Sequence, residues 1–93
     1  MKWANLLNDF RDTFLDTSVE HRVLLLINDA EAEIDPALRD TVVAFLYDGI
    51  EMAKAQRDFA EKWSPKIFHE NVALEASREI EASTKLIEML ENL

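Results

Sequence analysis

Residues 34–65 read IDPALRDTVVAFLYDGIEMAKAQRDFAEKWSP. Asp35 is a good N-cap, and Pro36 suits the first helical position, where a missing N–H costs nothing. No strong breaker follows before Trp63, so the stretch predicts one helix over 36–63. Leu38, Val42, Phe45, Gly49, Met52, Gln56, Phe59 and Trp63 are spaced alternately four and three. That is a heptad seam about four heptads long. Val43, Leu46, Ile50, Ala53 and Ala60 form a second apolar row beside it. Ser64-Pro65 repeats the Asp-Pro device and opens another helix.

Working outward, that last helix is expected over 65–92. Ile67, Phe68, Val72, Ala76, Ile80, Leu86, Ile87, Leu90 and Leu93 mark its inward side. Its middle is rich in small residues (Ala73, Ala76, Ser77, Ala82, Ser83), which let a neighbouring backbone approach closely. Upstream, Trp3, Leu6, Leu7, Phe10 and Phe14 form one helical stripe, predicting a helix over 2–15. Thr17 followed by Glu20 has capping-box spacing. A second helix is expected over 18–33, apolar over most of its circumference and therefore central. A buried strand at Val23–Ile27 is the competing reading, but no second strand candidate exists to pair with it. The expected fold is all-α: a single domain over 1–93, with two short N-terminal helices packed on a long antiparallel helical hairpin.

Composition agrees. A chain of 93 residues holds one domain, and one Gly and two Pro are too few for the tight turns of an all-β fold. The absence of Cys excludes a disulfide scaffold, a thiolate metal site and a Cys nucleophile. The net charge of −9, spread along the whole chain, disfavours direct contact with nucleic acid or anionic membranes. The longest apolar run, Val23–Ile27, is far too short to span a membrane. Asn5, Asn8 and Asp9 interrupt any signal-peptide core, so a cytoplasmic location is expected.

The hairpin is long for its chain. The third helix would measure about 43 Å, against roughly 32 Å across a compact chain of this size. An elongated bundle, a bend at Gly49 or a dimer would each resolve that. Phe45, Phe59, Trp63 and Phe68 crowd the hairpin and its tip, which favours self-association. Gly49, mid-helix on the seam, is read as a close helix crossing.

No chemistry-bearing motif survives inspection. His69-Glu70 begins like a zinc-protease HExxH, but Ala73 stands where the second His belongs. Ser18 and Lys66, three residues before His21 and His69, break the Glu-x-x-His spacing of a di-iron bundle. One Gly permits no phosphate loop, dinucleotide fingerprint or nucleophile elbow. Asp29, Glu31, Glu33 and Asp35 form a local acidic cluster. Three of them would lie in the last turns of the second helix, where the macrodipole disfavours them. A calcium loop there is rejected, because the turn has no Gly and its twelfth position is Asp40 rather than Glu. No enzyme, metal or cofactor is expected.

The expected function is a small acidic protein-binding module. It would inhibit or occupy a basic protein surface such as that of a nucleic-acid enzyme. Immunity proteins and phage inhibitors are analogous in size and charge alone. The candidate partner-binding residues are Asp29, Glu31, Glu33, Asp35, Tyr47 and Trp63, since Tyr and Trp are enriched in interface hot spots. The alternative is a structural subunit that self-associates as a homodimer through the seam of the third and fourth helices.

Overall fold

The computed structural model describes residues 1–14, 18–63 and 66–93, with side chains throughout except at 66–69. Four helices follow in order: α1 (Trp3–Thr13), α2 (Ser18–Ile27), α3 (Pro36–Trp63) and α4 (Lys66–Glu91). The antiparallel hairpin of α3 and α4 dominates the packing, with α1 resting on α4 and α2 on both. The expected all-α class and helix order are therefore observed. The molecule measures 45 × 23 × 22 Å, so the hairpin is accommodated by elongation. The expected caps at Thr17 and at Ser64-Pro65 lie outside the described residues.

The start of α3 follows the sequence. The Asp35 carboxylate accepts a hydrogen bond from the Leu38 N–H at 2.9 Å. This satisfies one donor that the first turn leaves without an intrahelical acceptor. The helix then runs unbroken through Gly49 to Trp63. A Cβ placed on Gly49 would meet no neighbouring atom within 4 Å, so no helix crosses closely there. That corrects the close-crossing reading.

Helix α2 is shorter than expected. It ends at Ile27 because Asn28 turns into the left-handed region at φ 66°, which Asn tolerates better than most residues. The chain beyond it runs antiparallel to the N-terminus, with an isolated bridge between Lys2 and Glu33. The N–H groups of Trp3 and Ala4 donate to the carbonyls of Ala32 (3.1 Å) and Ala30 (2.7 Å), and that of Ile34 donates to Met1 (3.0 Å). Helix α1 carries no side-chain cap, and these carbonyls supply acceptors for its first free donors instead. Nor is α2 central. It buries Val19, Val23 and Ile27 but leaves Leu25 and Leu26 exposed.

The core occupies one end of the molecule. It gathers Trp3, Leu6, Leu7 and Phe10 from α1, and Val19, Val23 and Ile27 from α2. Val42, Leu46 and Ile50 join from α3, and Ala82, Leu86, Ile87 and Leu90 from α4. Two ion pairs lace this head together. Glu20, only 3% exposed, accepts hydrogen bonds from the Arg11 guanidinium through both carboxylate oxygens. That contact holds Arg11 above the ordinary arginine pKa, by hydrogen bonding first and charge second. Glu20 is therefore an inter-helix clamp from α1 to α2. Arg22 on α2 pairs with Glu79 on α4 at 3.1 Å.

Beyond the head the hairpin continues as a two-helix arm. The apolar residues buried there, among those described, are Ala53, Ala60 and Ala76. Small side chains on facing helices let two backbones approach closely, with the start of α2 (Ser18, Arg22) alongside at Ala76.

Candidate interaction surface

Helix α3 carries two apolar rows, and only one fits against α4. Successive residues rotate about 100° around a helix axis, so the rows lie on different sides. The buried row is Leu46, Ile50, Ala53 and Ala60, with Val43 half-buried. The heptad seam is buried at Val42 and half-buried at Leu38, but from Phe45 onward it turns to solvent. Met52 is 65% exposed, Phe59 63% and Trp63 74%, and Phe45 is exposed at the edge of the head. From Phe45 onward the seam is thus largely an outer face. The small residues of α4 settle the choice, since they match the alanines of the second row and not Met, Phe or Trp.

The exposed seam runs from Phe45 to Trp63, about 27 Å at 1.5 Å of rise per residue. A second row runs along its solvent side at seven-residue spacing: Asp48, Ala55 and Lys62. All three are exposed. Asp48 and Lys62 form no ion pair with any described residue. Isolated exposed apolar side chains are ordinary, but an aligned row of large ones marks a contact surface.

The predicted partner-binding residues do not converge on one place. Asp35 and Trp63 stand near opposite ends of α3, about 42 Å apart by helical rise. Tyr47 is exposed on a different side of α3, where its hydroxyl makes a long 3.5 Å contact to Glu91. Asp29, Glu31, Glu33 and Asp35 do share a corner, yet each carboxylate is engaged inside the chain. Asp29 accepts from the Glu31 N–H at 3.0 Å, and Asp35 caps α3. Glu31 pairs with Lys2 at 3.7 Å and Glu33 with the N-terminal ammonium at 3.0 Å. With α2 ending at Ile27, Glu31 and Glu33 stand beside the start of α1, where a helix dipole welcomes negative charge. The expected misfit at the end of α2 is absent for that reason. Of the candidates, Trp63 alone belongs to the exposed seam.

Phe45, Met52 and Phe59 were outside the expected partner-binding set, although Phe45 and Phe59 entered the expectation of self-association. The available signal was the presence of two apolar rows on a helix with one hairpin partner.

A cleft of about 510 Å³ opens where Arg22 of α2, Gln56 of α3 and Glu75 and Glu79 of α4 approach. Of its charged residues Arg22 pairs with Glu79, and Ser18, Glu75 and Arg78 also line it. The Arg22 Nε is buried there without a partner. No group of three His, Cys, Asp or Glu among the described residues could hold a metal ion. No helix among them is long and apolar enough to cross a membrane. Comparison with known protein families, curated proteins and solved structures finds no match for this chain.

Proposed function

We propose that this chain is a non-catalytic, cytoplasmic protein-binding module whose contact face is the outer side of α3. One observation carries the reading: Phe45, Met52, Phe59 and Trp63 lie exposed in a single row on a rigid helix. Burying a side chain of that size contributes about 1.5–3 kcal/mol, so leaving several in water signals a partner. A helix presents them without the ordering cost that a flexible loop would add on binding. The net charge of −9 keeps nucleic acid away from the face and the module soluble in its absence.

The test is capture from an extract of the source cell with the wild-type chain and with a Met52→Glu/Phe59→Glu variant. Both sites are exposed, so the variant should keep its helical circular dichroism. The expected result is a stoichiometric partner held by the wild type and released by the variant. Identical capture by both would remove the reading.

A second reading, occupation of a basic protein surface, is supported by the acidic corner. Glu31 and Glu33 keep side-chain exposures of 75% and 71% while paired, so a basic partner could reach them. That reading predicts affinity that falls steeply as salt rises. Salt-independent binding to a purified partner would count against it.

A further inference from the structure

We infer that the occupant of the outer face of α3 is a second copy of the same chain, lying antiparallel across it. The inference rests on the reading of that face as a contact surface and adds the partner and its orientation.

The argument begins with the order of residues along the seam. Phe45, Gly49, Met52, Gln56, Phe59 and Trp63 are spaced four, three, four, three, four. That series is the same read in either direction, with its centre at residue 54. A two-fold axis through the centre therefore sets the seam against itself in register. Phe45 of one copy meets Trp63 of the other, Gly49 meets Phe59, and Met52 meets Gln56. The chemistry of these pairs is complementary as well as their spacing. The position that receives the Phe59 ring is the one without a side chain. Gly49 is half-buried, and the space where its Cβ would stand is open to 4 Å. Helix α3 thus has a notch at one end of its exposed face and a ring of matching height at the other. A parallel arrangement would instead set Gly49 against Gly49 and Phe59 against Phe59, leaving a void beside a collision.

The neighbouring row agrees independently. Asp48, Ala55 and Lys62 repeat every seven residues on the solvent side of the seam. Reversal about the same axis brings Asp48 of each copy within two residues of rise, about 3 Å, of Lys62 of the other, and the two Ala55 residues equally close beside the axis. Both charges lack ion-pair partners among the described residues of their own chain. Flanking charges of this kind set orientation in paired helices, and a parallel pair would put like charges together. The arrangement also places the bare arm of each copy beside the head of the other. The aligned strip, about 27 Å long and about 10 Å wide, has a footprint of about 270 Å² per copy, below that of a standard stable interface, so weak pairing in the upper micromolar range is expected.

The test uses the full chain, whose lack of Cys makes every introduced thiol unique. Sedimentation across the micromolar range should show the 10.7 kDa monomer passing to a dimer. Ala55→Cys should oxidise readily to a covalent dimer. Asp48→Cys should cross-link to Lys62→Cys when the two are mixed, and not to itself. Asp48→Lys and Lys62→Glu should each weaken pairing about tenfold or more, and the two together on one chain should restore it. Gly49→Leu should fill the notch and abolish the dimer while helical content is retained. A monomer at every concentration overturns the inference, and so does a dimer in which Asp48→Cys couples to itself. Either result leaves the partner-capture experiment free to succeed, so failure of this inference and failure of the contact-face reading are distinguishable.

Discussion

The two ends of the α3–α4 hairpin are made by the same pair of helices and held by different means. In the head, Val42, Leu46 and Ile50 of α3 meet Leu86, Ile87 and Leu90 of α4 under a cover of α1 and α2. In the arm, Ala53, Ala60 and Ala76 are the buried apolar residues among those described, and Met52, Phe59 and Trp63 are exposed. Large side chains need a third and fourth element to enclose them, whereas alanines allow two helices to close on each other. The difference teaches where hydrophobic energy is placed. The head uses its large residues for folding, and the arm holds its large residues outside, free for the association proposed above.

The strongest way to test that division is truncation at matched positions. Leu86→Ala, at a fully buried site, should cost about 3 kcal/mol through lost transfer energy and a residual cavity. Phe59→Ser, at an exposed site on the arm, should change stability by less than about 0.5 kcal/mol at dilutions where the chain is monomeric. Urea unfolding followed by circular dichroism measures both. Equal costs would show that the arm is part of the same core.

Enlargement probes the arm from the other side. Ala60 is buried between the hairpin helices, so Ala60→Leu should overpack that contact and cost about 2 kcal/mol. The same change at exposed Ala55 should be close to neutral in the monomer. If Ala60→Leu were tolerated, the two helices would not be in the close approach that alanine permits.

Asp35 tests how the head is anchored. Its carboxylate caps α3 through the Leu38 N–H, and Asp35→Ala should cost about 1 kcal/mol. Asn, which also accepts that bond, should recover most of the loss. This boundary was legible because its signal is local, a capping residue followed by Pro. The end of α2 was not. Ala30, Ala32 and Ile34 continue an apolar pattern, while the bonds that redirect the chain come from Met1, Trp3 and Ala4, about thirty residues away. Asn28-Asp29 was a turn signal, but a weak one beside that pattern. The orientation of α3 was hidden for another reason. Both of its rows are apolar, and hydrophobicity alone ranks Phe, Met and Trp above Ala as core. Only the close approach of α4 reverses that order. The acidic corner was legible as a cluster. Its members' duties as turn, cap and N-terminal partners depend on chain segments that sequence proximity does not bring together.

The smallest effect is expected at Gly49, beside the last large core residue of α3, and it separates folding from association most sharply. Gly in a helix interior is less favourable than Ala by roughly 0.8 kcal/mol, because it loses more backbone freedom on folding. Its φ is not positive, and no neighbour occupies the space a methyl would take. Gly49→Ala should therefore raise monomer stability by about that amount, seen as a higher urea midpoint at low protein concentration. In the antiparallel pair the same methyl enters the notch that receives Phe59 of the second copy, so sedimentation should show weaker dimerisation. Opposite signs from one methyl group would place the glycine's role in association. Gains in both measurements would mean that Phe59 does not pack there, and the register of the pair would have to be redrawn.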